Sequence, residues 1–399
     1  MNTRLAHISL AVPLACLLAG SAHAQDVTVR VRGYMQADNR FYLADGATPA
    51  PNTWEIRRAR PILEATAYKY FDFRVMPDFG EGKAQLMEAY ADLRFRRQLV
   101  LRSGKFKPPL GLERLQSATD LKFAERGAPT NLVPNRDVGI ELYGDLAAGT
   151  MSYAIGAFDG TPDLGNGDGD RSNAKDVAGR LFFQPFLRRG PALLRVLGLG
   201  IAASSGNETG STASSGLASY RTPGQQVFFA YRSDGTAAGT VVAEGRRQRV
   251  VPQGFLYSGP FGLLWEYAAS RQHVRLGSSE AVLTHRAWQV AGSVAVTGEP
   301  ASYRGVTPRH PFDPDSATWG ALELALRYGE VRLDSAAFPT YANPATSAAA
   351  ARSWGVSVNW YLARGVRLSA TYERTGFDAA AGTPRTPERF LVTRLQMGF

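Results

Sequence analysis

The chain has 399 residues, with 45 Lys plus Arg against 35 Asp plus Glu, a formal net charge of +10, and 44% hydrophobic residues. That much apolar material beside only 20% charged residues excludes a disordered polyelectrolyte and a disulfide-knotted miniprotein. Only six of the basic residues are Lys and none follows Lys175, so the positive charge resides mainly in guanidinium groups, which stay ionised in any surroundings and fork onto oxyanions.

Residues 1–24 carry Arg4, an apolar run from Ile8 to Gly20, and the small-residue triplet Ala22-His23-Ala24 before Gln25. This is the pattern of a secretory signal peptide cut after Ala24. The apolar run is shorter than the ~20 residues of a spanning helix. Cys16, the one cysteine, lies in that segment, so residues 25–399 offer no disulfide, no thiolate nucleophile and no Cys-ligated metal. Beyond residue 24 no apolar stretch approaches ~18 residues, which rules out helical spans and leaves a closed barrel as the way to cross a bilayer.

The period of a barrel strand is two, one side meeting lipid and the other a wet lumen. Val27, Val29 and Val31 oppose Thr28, Arg30 and Arg32; Ala89, Leu93 and Phe95 oppose Tyr90, Asp92, Arg94 and Arg96. Further on, Leu322, Leu324, Leu326 and Tyr328 oppose Glu323 and Arg327. Trp354, Val356, Val358 and Trp360 oppose Ser353, Ser357 and Asn359, and after Ala363-Arg364-Gly365 the run Val366, Leu368, Ala370, Tyr372 opposes Arg367, Ser369, Thr371 and Glu373. A tilted spanning strand takes about 9–11 residues, so residues 25–399 accommodate about sixteen strands in a single barrel domain. Trp265, Tyr267, Trp288, Trp319, Tyr328, Trp354, Trp360 and Tyr361 fall near strand ends, where interfacial aromatic girdles lie. The competing reading is a soluble sandwich or propeller, but polar faces charged with both signs suit a water-filled interior better than a sandwich, whose polar face looks outward. Arginines on lumen faces (Arg30, Arg32, Arg94, Arg96) would raise the local anion concentration and steer entry.

Residues 104–137 break the alternation. Pro108-Pro109 stops a strand, and Gly104 and Gly111 free the backbone beside it. A connector of about 30 residues without strand period is a functional loop rather than filler. It carries Lys105, Lys107, Arg114, Lys122, Arg126 and Arg136 against Glu113, Asp120, Glu125 and Asp137. Folded into the lumen, it would narrow the pore and line it with positive charge. Residues 159–176, 205–224 and 339–350 are rich in Gly, Ser, Asn, Asp, Ala and Pro and read as extracellular loops facing short periplasmic turns. Asp163, Asn166, Asp168 and Asp170 hint at a Ca²⁺ loop, but no bidentate Glu stands at the twelfth position and a solvated loop is favoured. The chain ends Leu391 to Phe399 with Leu391, Leu395, Met397 and Phe399 on one face, resembling the signal read by the outer-membrane insertion machinery.

Several blocks in order resemble the phosphate-selective porins O and P of Gram-negative outer membranes. They are Trp54-Glu55-Ile56-Arg57-Arg58-Ala59-Arg60-Pro61, Phe71-Asp72-Phe73-Arg74-Val75, the Gly104 to Ser117 stretch, Leu132-Val133-Pro134-Asn135-Arg136-Asp137, Val296-Thr297-Gly298-Glu299 and Asn359-Trp360-Tyr361. The resemblance implies a homotrimer of sixteen-stranded barrels, each with its own pore and an inward-folded third loop. It also implies a cationic constriction: the family's paired arginines fall on Arg57 and Arg58, its lysine on Arg114, and a further arginine on Arg126. The acid facing that lysine falls on Met87, with Glu88 expected on the opposite strand face. Arg246, Arg247 and Arg249 are the nearest cluster to the family's arginine ladder.

The expectation is therefore an all-β transmembrane antiparallel barrel in the outer membrane, passing small phosphate-like anions through a constriction of Arg57, Arg58, Lys105, Lys107, Arg114, Lys122 and Arg126. It needs no cofactor and no metal, and its spread-out cations, without a basic patch, do not suit nucleic acid. The rivals are a general or sugar-type porin, and an outer-membrane barrel enzyme that would need His273, His285 or His310 beside a serine.

Overall fold

The computed structural model describes residues 27–43, 51–169, 173, 175–382 and 384–399. The expected signal peptide and Asp170 lie outside them. Among the described residues eighteen strands form: β1 (Val27–Tyr42), β2 (Thr53–Ala67), β3 (Phe71–Asp78), β4 (Gln85–Arg96), β5 (Leu99–Phe106) and β6 (Asp137–Leu146). Then come β7 (Met151–Phe158), β8 (Asp176–Phe183), β9 (Val196–Thr209), β10 (Tyr220–Arg221), β11 (Val227–Phe229) and β12 (Val242–Ser258). The last are β13 (Phe261–Leu276), β14 (Ser279–Ala295), β15 (Ala321–Arg332), β16 (Ala348–Ala363), β17 (Val366–Ala379) and β18 (Glu388–Gly398). All but β10 and β11, which pair only with each other, close into one antiparallel barrel of sixteen strands. The seam joins β1 to β18 from Tyr34↔Gly398 to Tyr42↔Phe390.

The alternation read from the sequence becomes the two faces of the wall. Leu324, Leu326, Tyr328, Trp354, Val358 and Leu368 are exposed outward, whereas Glu323, Arg327, Asn359, Thr371 and Glu373 of the same strands are buried inside. Trp288 pairs with Tyr328 and Trp354 with Tyr372, ring centroids 5.5 Å apart in each pair, on the lipid side toward one end. Near the other end Phe312 packs edge-on against Trp360 at 5.5 Å, and Trp319 is exposed. Tyr361 departs from the expected girdle: it points inward and donates its hydroxyl to Glu323 at 2.8 Å.

The start of β1, the end of β18 and most short turns gather at one end, the long loops at the other, which makes the former periplasmic. Two connectors break that rule. The β13–β14 hairpin is short on the extracellular side, and the periplasmic connector 296–320 is long and turns into the barrel. Its Tyr303 stacks on Phe255, ring centroids 5.3 Å apart, and the Gln116 amide donates to its carbonyl at 2.6 Å. The outer half of the lumen is likewise not open water. Phe228, Phe229 and Tyr220 of the small β10–β11 hairpin join Phe106, Phe158, Leu283 and Phe377 in a buried apolar cluster. His285 belongs to this packing rather than to a catalytic group, exchanging a 2.7 Å hydrogen bond with the Tyr231 hydroxyl and accepting from the Asp334 N–H at 3.1 Å.

Candidate functional site

β5 extends through Lys105 to Phe106, so the irregular segment is shorter than expected and runs from Lys107 to Arg136, between β5 and β6. Without regular structure beyond the single turn α1 (Leu112–Leu115), this constriction loop cannot pair its own backbone groups, and the wall supplies partners instead. Lumen side chains from five strands donate to successive loop carbonyls. Gln36 reaches Ala118 at 3.1 Å, Gln396 reaches Thr119 at 3.2 Å and Arg367 reaches Leu121 at 2.8 Å. Asn359 reaches Lys122 at 2.9 Å, Arg394 reaches Ala124 at 2.6 Å and Arg327 reaches Glu125 at 3.0 Å. On the β13 side, the N–H groups of Leu112 and Glu113 donate to the Glu266 carboxylate at 2.7 and 3.2 Å. The loop is thus sewn mainly to β13, β15 to β18 and β1, with Glu125 reaching Arg57 and Arg58 of β2, and the cavity beside it is walled by residues of β2 to β4.

Glu125 is the buried knot of this seam. Its carboxylate accepts from Arg40 at 2.7 Å, Arg57 at 2.7 Å, Arg58 at 3.1 Å and Arg394 at 3.3 Å. Burial by itself would raise its pKa, but Arg57, Arg58, Arg40 and Arg394 outweigh burial and hold it well below the usual glutamate range.

Two cavities meet at the constriction. An extracellular vestibule of about 940 Å³ has Arg58, Arg60, Arg114, Arg126 and Arg136 among its walls. A periplasmic one of about 440 Å³ is lined by Arg60, Arg74, Lys107 and Arg136 among others. Arg60 and Arg136 border both, which places them at the neck. Each holds one carboxylate: Arg60 bonds Asp78 at 2.7 Å, and Arg136 bonds Glu88 at 2.8 Å. Neither residue was among the expected site residues. Glu88 reaches the lumen because the β3–β4 register slips at Met87, pairing Met76 with Glu88 and Pro77 with Leu86. The bulge turns both Met87 and Glu88 inward, against the expectation from strict alternation.

Unlike Arg57, Arg58, Arg60 and Arg136, Arg114 and Arg126 bond only neutral oxygens. Arg114 donates to the Thr130 carbonyl at 2.7 Å and the Asn135 side-chain oxygen at 3.2 Å. Arg126 donates to the Gln116 and Glu113 carbonyls at 2.7 and 3.1 Å. Burial, and next the Arg136 charge, lower the Arg114 pKa to about 10. Burial, then Arg114, Arg58 and Arg136, push that of Arg126 well below its usual value. The Nε atoms of Arg114 and Arg136 are buried without a hydrogen-bond partner. The loop side of the neck therefore carries two guanidinium groups without a bonded carboxylate, and Arg114 and Arg136 each keep a spare N–H donor.

The remaining expected residues fall elsewhere. Arg57 lines the vestibule but spends its charge on Glu81 and Glu125. Lys107 donates to the Leu115 and Gln116 carbonyls at 3.1 and 2.7 Å, under the loop, where burial and then Arg136 and Arg126 depress its pKa strongly. Lys105 is on the β5 wall, buried and paired with Asp168. Lys122 is locked to Glu323 beneath the Tyr257 ring. These two are braces rather than eyelet cations. Arg30, Arg32, Arg94 and Arg96 lie on strand parts at the periplasmic rim; Arg32 pairs with Glu64 at 3.0 Å and Arg94 with Asp72 at 2.8 Å. Arg247 and Arg249 bind Asp176, and Arg249 also binds Asp163 at 2.6 Å, tying down the 159–175 loop, while Arg246 points outward to Ser205. Asp163 and Asp168 thus serve as ion-pair partners within this loop.

A family profile, phosphate-selective porin O and P, matches residues 29–399. Porin O of Pseudomonas aeruginosa is 24% identical over 415 aligned positions, spanning 94% of this chain and 89% of that protein. The outer-membrane channel DcaP of Acinetobacter baumannii shares the fold with a TM-score of 0.62 at 11% identity, covering 96% of this chain and all (100%) of that one. An anion-selective porin from Comamonas acidovorans superposes with a TM-score of 0.57 at 11% identity over 94% of this chain and 100% of its own. A trimer form of OmpT from Vibrio cholerae does so with 0.55 at 11% identity, over the same shares of 94% and 100%. With a single closed barrel and a family match from the first strand to the last residue, the chain belongs to the phosphate-selective porin O and P family and is a channel of the Gram-negative outer membrane rather than an enzyme.

Proposed function

We propose that this channel prefers anions, with phosphate or a related oxyanion as its solute, and that Arg114 and Arg126 of the constriction loop, with Arg58, Arg60 and Arg136 beside them, select it. The observation that carries the reading is the neutral bonding of Arg114 and Arg126, which leaves their charges uncompensated at the neck. The anion selectivity of the Comamonas acidovorans porin and the phosphate selectivity named for the family support it.

A unit charge pair at about 4 Å is worth roughly 1 kcal/mol in water and ~4 kcal/mol at an effective dielectric of 20. Several cations closing dry on a dianion would trap it, whereas transit needs net binding near ~4 kcal/mol, the millimolar range. A hydrated neck in which Asp78 holds Arg60, Glu88 holds Arg136 and Glu125 holds Arg58 would keep the well shallow. The trimer form of OmpT supports assembly as a homotrimer. Export by a leader cut after Ala24 and insertion through the terminal Phe399 belong to the same reading.

The test is planar-bilayer recording under a KCl gradient. Anion preference gives a zero-current potential of the chloride sign, and millimolar phosphate blocks the chloride current. A cation-sign potential rejects the anion reading, and anion preference without phosphate block leaves a general porin.

A further inference from the structure

The lipid-facing side of β12 to β15 carries charge that the pore does not use. Arg271 on β13 faces Gln248 of β12 and Thr284 of β14 across the sheet. Arg246 stands two residues from Gln248, and Arg286 two residues from Thr284. Arg286 in turn lies directly opposite Arg332 of β15. All four arginines are exposed on the outer surface, so the row crosses four consecutive strands. Strands are about 4.8 Å apart, which makes the row about 14 Å wide.

Its depth is marked by its neighbours. Trp288, one outward-facing step below Arg286, packs against Tyr328, and such aromatics sit at the level of the lipid headgroups. The arginines stand on the extracellular side of that pair, where headgroup phosphates would lie. Like charges directly opposite on a sheet destabilise it, and of the Arg286–Arg332 pair only Arg332 has a carboxylate partner, Glu330 at 2.7 Å. Glu330 divides its charge between Arg332 and Arg352, the latter at 3.0 Å, and among the described residues Arg271 and Arg286 have no ion-pair partner. Arg246 bonds only the Ser205 hydroxyl, at 3.1 Å.

We infer that Arg246, Arg271, Arg286 and Arg332 form a docking site for the phosphate groups of an anionic lipid in the outer leaflet. Charge complementarity and the adjoining aromatic girdle specify the partner: its phosphates bridge guanidinium groups that would otherwise repel, while its acyl chains lie along Ala203, Val250 and Ala269 below. A free phosphate offers the same headgroup chemistry without the chains, so the lipid is retained where inorganic phosphate is not.

The experiment compares the native detergent-solubilised assembly with an Arg271→Gln/Arg286→Gln variant after incubation with diphosphoryl lipid A, followed by washing and quantification of the lipid kept by the protein. Wild type is expected to keep the lipid through a wash in millimolar inorganic phosphate, and the variant about tenfold less or lower still. Equal retention by the two proteins overturns the proposal. So does equal retention by wild type of the same lipid stripped of its phosphates, a comparison that holds even if the variant fails to insert. An Arg271→Lys/Arg286→Lys protein should recover most of the binding, and its failure to do so would also count against a site read by charge. Both residues point away from the lumen, so the zero-current potential of the Gln variant should match wild type.

Discussion

Changing Arg126 to Gln removes one full charge from the neck while leaving an amide able to donate to the Gln116 carbonyl that the guanidinium now holds at 2.7 Å. No carboxylate is released, because Arg126 bonds only carbonyls, so the substitution subtracts a cation and adds no anion. A phosphate in contact with that guanidinium has charge centres about 4 Å apart, worth between ~1 kcal/mol in water and ~4 at an effective dielectric of 20. The vestibule is open to solvent, which favours the lower half of that range, about 1–2 kcal/mol. Converted at 1.4 kcal/mol per decade, this is a rise of about 5- to 30-fold in the phosphate concentration giving half-block of the chloride current. The assay is single-channel recording in symmetric KCl with phosphate titrated on the extracellular side, and Arg126→Lys serves as the charge-preserving control. A half-block concentration unchanged in Arg126→Gln would show that the charge is screened from the solute path and would remove Arg126 from the site.

Arg136→Gln should shift the zero-current potential further toward cations than Arg126→Gln does, since it deletes a cation at the neck and also loosens Glu88; an equal or smaller shift in bilayers would contradict this placement. Glu125→Gln removes the carboxylate shared by four arginines, and breaking such a buried network costs about 3–5 kcal/mol, read as a fall in the thermal midpoint of the detergent-solubilised barrel and as noisier open-channel current. An unchanged midpoint would mean that the loop is held elsewhere. Because the Glu125 pKa lies below its unfolded value, its stabilisation is complete above the ordinary glutamate range and lost only as pH falls through the depressed folded value. The midpoint difference between wild type and Glu125→Gln should therefore stay constant from about pH 8 to pH 5 and narrow in more acidic buffer, and narrowing already near pH 6 would refute the sign. Tyr303→Ala takes away a ring stacked on Phe255 and a hydroxyl bonded to the Leu112 carbonyl; larger and noisier single-channel currents are expected, and wild-type currents would show that the 296–320 segment does not brace the loop.

The barrel was legible in the alternation itself. Leu322 to Tyr328 and Trp354 to Leu362 turn their apolar members outward as read, because strand side chains alternate by geometry and lipid admits only one kind. The Pro108-Pro109 break likewise announced the constriction loop, since a double proline cannot continue a ladder. What misled was anything that depended on partners. Lys105 and Lys122 belong to the same cationic stretch as Arg114 and Arg126, yet Asp168 and Glu323, remote in the chain, neutralise them. Met87 and Glu88 defeated strict alternation through one bulge, and the connector 296–320 is long where short periplasmic turns were expected. A hint existed for Arg60 and Arg136, which stand in the Arg57-Arg58-Ala59-Arg60 and Pro134-Asn135-Arg136 blocks, but composition alone does not separate a neck residue from a wall residue.

Residue order by itself determined that this chain spans a membrane as strands, carries its charge as arginine and interrupts its strands once with a cationic loop, because period, charge type and proline chemistry are local properties. Which of those arginines remain uncompensated was decided only when the barrel closed. Closure brought Glu125 against Arg40, Arg57, Arg58 and Arg394 and left Arg114 and Arg126 facing carbonyls. Net charge at a point in space is a sum over neighbours from distant strands, and no short window of sequence contains that sum.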